Sequence, residues 1–204
     1  MKIDILKPEF THLKTIIFLH YFNQRDEEIY RIINDLNNKK RGIKFIIPIS
    51  VKDNINSWYK YYTWNNNLLK HDSICLKDFN SNVSIVKDLI EKECKIIDPS
   101  KIFIIGISQG GTIAIDVSLK LSFKIKKVIC IDTIFLDSYF SGNYTKQVFS
   151  IFQSLRDDVY NPKYQDICYK KLSDNNCEVN KITYDLSHTE NINIILDFII
   201  VNIV

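Results

Sequence analysis

Ser108 lies in the run Gly106-Ile107-Ser108-Gln109-Gly110-Gly111, which holds three of the five glycines in this 204-residue chain. A strongly apolar segment, 101–107, precedes it and a helical pattern begins at 109, which is the strand-turn-helix context of a G-x-S-x-G nucleophile turn. Such a turn lifts the serine hydroxyl above the end of a strand on a strained backbone. It needs small residues on either side so that strand and helix do not collide, and Gly106 and Gly110 supply them. The N–H of Gln109 opens the helix, where unpaired amides and the helix dipole favour developing negative charge, so it is one half of an oxyanion site. The competing reading is a tight turn whose serine only caps the helix. The strand and helix on either side favour the nucleophile.

A serine hydroxyl attacks only when a base takes its proton and an acid orients that base. The chain has four histidines. His12 falls in an early turn, His20 ends a buried strand where it orders a loop through hydrogen bonds, and His71 follows a polar stretch. His188 stands in YDLSHTE, between the last proposed strand and the last helix, with small polar neighbours that suit a loop. For the acid, Asp157 and Asp158 follow one strand and Asp132 ends another. All three precede His188, which satisfies the chain order Ser, acid, His or its close variant. Any of them could equally be a solvated loop carboxylate.

These residues must be brought together by distant elements. Apolar runs at 14–20, 42–49, 101–107, 126–131 and 147–152 are nearly continuous in hydrophobicity, the pattern of parallel strands covered on both faces. Residues 2–6 predict an antiparallel edge strand and 177–184 a last strand, making seven. Helical periodicity occupies 25–37 and 81–94, with further helices at 109–121 and 163–172. In the tail from about residue 190, isoleucines leave helix and strand hard to separate by propensity. The alternation predicts a doubly wound α/β fold, mostly parallel with helices on both faces, whose functional groups gather beyond the carboxyl ends of the strands. One domain over 1–204 is expected from the length.

Composition narrows the function classes. A hydrophobic fraction of 46% and a charged fraction of 25% suit a soluble globular protein. The +3 net charge, from 27 basic and 24 acidic residues, is spread along the chain, so no nucleic-acid partner is expected. No signal peptide or membrane span is evident, because the apolar tail is too short and carries Asn191, Asn193, Asp197 and Asn202. Five cysteines without a CxxC pair point to reduced thiols and a cytoplasmic setting.

The run GISQGG resembles the elbow of the phospholipase/carboxylesterase family of α/β-hydrolases, which includes acyl-protein thioesterases and commonly reads G-F-S-Q-G-G there. FLHYF (18–22), IIPIS (46–50) and SWYK (57–60) resemble, in the same order, the family's His-Gly-Leu-Gly strand end, its next strand and its Ser-Trp-Phe-Asp loop. The resemblance implies His188 as the base and the amide of Phe22 as the second oxyanion donor. It also implies Asp157 as the acid, since the family's His-Gly-x-x-Asp pattern is matched here by QSLRD, with Asp158 and then Asp132 as rivals. Tyr21 and Asn23 stand where the family has glycine, and Gln153 and Ser154 replace its His-Gly pair.

Trp58, Tyr59, Tyr61, Tyr62 and Trp64 cluster after a strand. By resemblance to the loop that accepts fatty acyl chains, Trp58 and Tyr59 would wall a substrate pocket; the alternative is that they pack the loop onto the body. The implied activity is serine-dependent cleavage of carboxylic esters or thioesters, with an S-acylated protein or a lysophospholipid as substrate and no metal or organic cofactor. A carboxylesterase for short esters and a non-catalytic binding protein are the alternatives.

Overall fold

In the computed structural model, which describes residues 1–9, 11–39, 41–62, 74–136, 140 and 144–203, the apolar runs form the middle of one sheet. The elements are β1 (Lys2–Leu6), β2 (Lys14–Leu19), α1 (Asp26–Lys39), β3 (Ile43–Ile49), β4 (Val51–Lys52), β5 (Ile55–Asn56) and α2 (Leu76–Glu93). They continue with β6 (Ile102–Ile107), α3 (Gln109–Leu119), β7 (Lys127–Ile131), β8 (Val148–Ser154), α4 (Pro162–Asp174), β9 (Glu178–Tyr184) and α5 (Ile192–Asn202). The seven-stranded sheet runs β1-β3-β2-β6-β7-β8-β9. β1 is the antiparallel edge strand, paired with β3, and every other neighbour is parallel.

Successive strand side chains point to opposite faces, and both faces are covered. Ile16, Phe18, Ile105 and Ile107 pack with Ile29, Ile32 and Ile33 of α1 and Ile195 and Ile199 of α5. Ile17, Leu19 and Ile104 turn the other way, toward Phe79 and Val83 of α2, Ile113 of α3 and Leu172 of α4. Each such side chain taken fully out of water contributes roughly 1.5–3 kcal/mol, which is why these strands lack polar alternation.

The isoleucine-rich tail resolves as helix α5. Asn191 caps it by accepting from the N–H groups of Asn193 and Ile194, and Ile195, Leu196, Phe198 and Ile199 are buried while Asp197 and Val201 face out. This 3.6-residue rhythm outweighs the β-branched preference for strand. Helix α2 starts at Leu76, five residues ahead of the predicted 81, because the poor helix formers Asn80, Ser81 and Asn82 are carried by tertiary contacts: Asn82 donates to the Trp58 carbonyl. The β4–β5 hairpin has no counterpart in the sequence reading. Its turn residues Asp53 and Asn54 have φ of 50° and 66°, as a two-residue hairpin turn of this hand requires. Among the described residues no helix is long and apolar enough to cross a membrane.

Candidate active site

Ser108 ends β6 and opens α3 with φ 50° and ψ −115°, a conformation that costs a residue with a Cβ about 1–3 kcal/mol. Four hydrogen bonds hold its backbone: Ser108 N–H donates to the Ile131 carbonyl at 2.8 Å, and the Ser108 carbonyl accepts from the Gly111 N–H at 2.9 Å, the Thr112 N–H at 3.3 Å and the Thr133 hydroxyl at 2.7 Å. A Cβ on Gly110 would sit 2.3 Å from the Leu19 carbonyl oxygen, and one on Gly106 would sit 2.7 Å from the Ala114 Cβ. The two glycines therefore let the first turn of α3 lie directly against the ends of β2 and β6.

The parallel strands end at one edge, and there the structure brings Ser108, His188 and Asp157 together. His188, on the loop between β9 and α5, has its Nε2 2.9 Å from Ser108 Oγ and its Nδ1 2.9 Å from Asp157 Oδ2. An ionised carboxylate only accepts, so Nδ1 carries the proton and Nε2 presents its lone pair to the serine hydroxyl. The Asp157 side chain is fully enclosed. Its Oδ1 accepts from the N–H groups of Val159 (2.8 Å) and Tyr160 (2.7 Å), and its Oδ2 from Gln165 Nε2 (2.8 Å). The Tyr160 ring meets the imidazole edge-on, centroids 5.6 Å apart.

Asp158 is exposed, and it is Asp157 that meets the His188 ring. Asp132 is fully buried at the end of β7 but gives its oxygens to Ser154 and to the Thr189 N–H. Of the seven described non-glycine residues with positive φ, Asn23, Ser108, Asp132 and Thr189 all stand at this edge, so backbone strain is concentrated where Ser108, His188 and Asp157 meet. His12 lies far off, bonded to Thr15 at the start of β2. His71 and Trp64 lie outside the described residues.

Trp58 and Tyr59, expected either to wall a pocket or to pack their loop onto the body, are enclosed by the protein. They are 0% and 1% exposed, because their loop is pinned to the body from several sides. Gln109 Oε1 accepts from the Trp58 N–H at 2.8 Å and Gln109 Nε2 donates to the Tyr59 carbonyl at 2.9 Å. Trp58 Nε1 donates to the His20 carbonyl at 2.8 Å, and the Tyr59 hydroxyl meets Thr112 Oγ1 at 2.9 Å. Phe22 and Tyr61 pack edge-on with centroids 5.9 Å apart, and Phe22 is 39% exposed. These clamps were not foreseen. The side-chain roles of Gln109, Asn82 and Gln165 leave no sequence signal beyond their polarity inside apolar helix patterns.

His20 stacks on Trp58, centroids 4.7 Å apart. It accepts the Ser50 N–H at Nε2 and donates from Nδ1 to the Tyr21 carbonyl, so it orders the loop and stays apart from Ser108. Burial pulls its pKa down to about 4. As pH falls below about 6.5 the unfolded chain takes up a proton that the folded ring refuses. This contribution is complete above that value and is lost as pH descends toward the folded pKa, about 2 kcal/mol of it between pH 7 and pH 5. Urea unfolding at the two pH values measures the loss. His20→Gln is expected to flatten the difference, and an unchanged slope would remove His20 as its source.

Tyr21 and Asn23 are each tied to neighbouring elements. Tyr21 turns sideways, its hydroxyl donating to Glu28 at 2.8 Å. Asn23 adopts φ 59°, a conformation that asparagine tolerates better than most residues, and its N–H is tied to the Asn56 carbonyl. Among the described residues the N–H groups of Phe22 and Gln109 meet no protein acceptor, and for Gln109 this follows from its place at the first position of a helix. A cavity of ≈ 180 Å³ between α1 and the start of α5 is lined by Tyr21, Gln24, Glu28, Arg31, Ile107 and Thr189 among others, and Ser108, His188 and Asp157 do not line it.

The sheet order, the strained serine between β6 and α3 and the histidine after the last strand define an α/β-hydrolase. The chain belongs to the phospholipase/carboxylesterase family, whose model matches residues 2–202. Solved structures with the same fold include Arabidopsis thaliana SOBER1, with TM-score 0.77, 17% identity, 93% of this chain and 97% of that one. The Bacillus cereus carboxylesterase gives 0.74, 13%, 97% and 91%. Zea mays acyl-protein thioesterase 2 gives 0.71, 14%, 100% and 99%. A search of curated proteins finds no match.

Proposed function

We propose that this protein is a serine hydrolase that cleaves carboxylic esters or thioesters through an acyl-enzyme. The observation that carries the reading is the hydrogen-bonded line Asp157, His188, Ser108, with both ring nitrogens engaged at 2.9 Å. His188 Nε2 takes the Ser108 proton as Oγ attacks the acyl carbonyl. Asp157 stabilises the imidazolium, and the Gln109 and Phe22 amides receive the oxyanion. His188 returns the proton to the departing alcohol or thiol, and water then releases the acid by the same steps.

Family membership and the G-x-S-Q-G-G elbow favour an S-acylated protein or lysophospholipid as substrate. A short-chain ester is the second reading. It is favoured by the enclosure of Trp58 and Tyr59 in the protein body. A fluorophosphonate probe is expected to label the wild type and not Ser108→Ala. A wild type that stays unlabelled and hydrolyses no ester leaves a binding protein that has kept the fold. A series of p-nitrophenyl esters and acyl thioesters from acetyl to palmitoyl separates the substrate readings: rates rising with chain length support the first, rates falling beyond butyryl the second.

A further inference from the structure

Two buried carboxylates converge on one imidazole. Besides Asp157, Asp132 sits at the end of β7 with φ 43° and no exposure. A carboxylate oxygen of each aspartate and a ring nitrogen of His188 lie within 4.8 Å of one another. Asp132 Oδ1 accepts the Ser154 N–H at 2.7 Å, while Oδ2 accepts the Ser154 hydroxyl at 2.9 Å and the Thr189 N–H at 2.8 Å. Thr189 directly follows His188 and is itself held at φ 49°. A buried carboxylate without a cationic partner is costly, and no Lys or Arg is paired with Asp132 among the described residues. The positive charge available to it is the imidazolium that forms on His188 when Ser108 gives up its proton.

We propose that Asp132 is a second positioning acid for His188: it fixes the imidazole by clamping the next residue's N–H, and its negative charge, added to that of Asp157, raises the basicity of the ring. This rests on Ser108 and His188 being nucleophile and base. The proton moves from Ser108 Oγ to His188 Nε2, Nδ1–H stays donated to Asp157, and no proton is transferred to either carboxyl group. The groups facing the imidazole are Ser108 from the elbow, Asp157 and the Tyr160 ring from beyond β8, and Asp132 from β7. Asp132 also lies near the Tyr169 phenol of α4. Arg156 and Asp185 pair with each other on the exposed side of the loop, where Glu190 accepts from Ser187. Burial pushes the Asp132 carboxyl up from the usual range and Asp157 adds to this, while the three hydrogen bonds it accepts favour the ionised form.

The test is the pH dependence of kcat/KM for an ester that the wild type hydrolyses, whose acid limb reports the base. Asp132→Asn is expected to move that limb down by about one pH unit, because loss of a nearby negative charge favours the neutral imidazole. Ser154→Ala removes the hydroxyl hydrogen bond to Asp132 but keeps the backbone one and the charge, and its limb should stay in place. A purely structural role would shift neither limb. Asp157→Ala should exceed His188→Ala in activity by more than the gap of about 10²-fold that a single-acid triad already shows, since Asp132 remains as counter-charge. An unmoved limb in folded Asp132→Asn overturns the proposal. So does an Asp157→Ala rate no more than about 10²-fold above that of His188→Ala, an arm that holds even if Asp132→Asn fails to fold. A wild type without hydrolysis or probe labelling overturns the nucleophile reading instead, before any variant is compared.

Discussion

His188→Ala is expected to lower kcat for ester hydrolysis by about 10⁴-fold or more while the protein stays folded. The imidazole makes its two ring hydrogen bonds to Ser108 and Asp157, and its side chain is partly open to solvent, at 12% exposure. Its removal therefore leaves little unfilled core. The loss should fall on kcat with KM little changed, because a base acts on the proton moving in the transition state and contributes little to holding the ground-state ester. Ser108→Ala should show a loss of the same order, and the double variant scarcely more, since the two act as one unit. Single-turnover rates and thermal melts on the same preparations check both halves. A His188→Ala enzyme within tenfold of wild type would exclude this histidine as the base.

Trp58→Ala is expected to destabilise the fold by about 3–5 kcal/mol. The indole is fully buried, so truncation opens a cavity as well as losing transfer energy. It also leaves the His20 carbonyl without its indole donor and the His20 ring without its stacking partner. Urea unfolding gives the magnitude. The same variant discriminates between the two roles open to this tryptophan in the sequence. A residue walling an acyl pocket would raise KM for long-chain substrates at nearly unchanged stability, whereas a core residue lowers the unfolding midpoint first.

Where the chemistry depends on local pattern, the sequence discloses it. The near-continuous apolar runs declare parallel strands buried on both faces, and three glycines around Ser108 declare a turn with no room for side chains. The edge position of β1 follows from its weaker, more exposed pattern. Legibility stops where a residue's role is set by a partner far along the chain. Trp58 looks like an aromatic in a polar loop until Gln109, Asn82 and His20 are seen to hold it from three elements. Asp132, Asp157 and Asp158 are alike in sequence because all three follow strands. Asp157 faces the imidazole because the turn after β8 folds the Val159 and Tyr160 amides around it, while Asp158 is carried outward. The β4–β5 hairpin escapes notice for a plainer reason: two-residue strands have no periodicity to read.

Gln109 joins two tasks in one residue. Its backbone amide stands next to Ser108, and its side chain grips the backbone of residues 58 and 59. Since the grip is on an amide and a carbonyl, it is indifferent to which side chains occupy those positions but demanding of the path the chain takes between them. Across the family, then, drift at 58 and 59 should leave the glutamine in place. An insertion or deletion between 50 and 59 should be accompanied by its replacement, a covariation of loop length with residue identity.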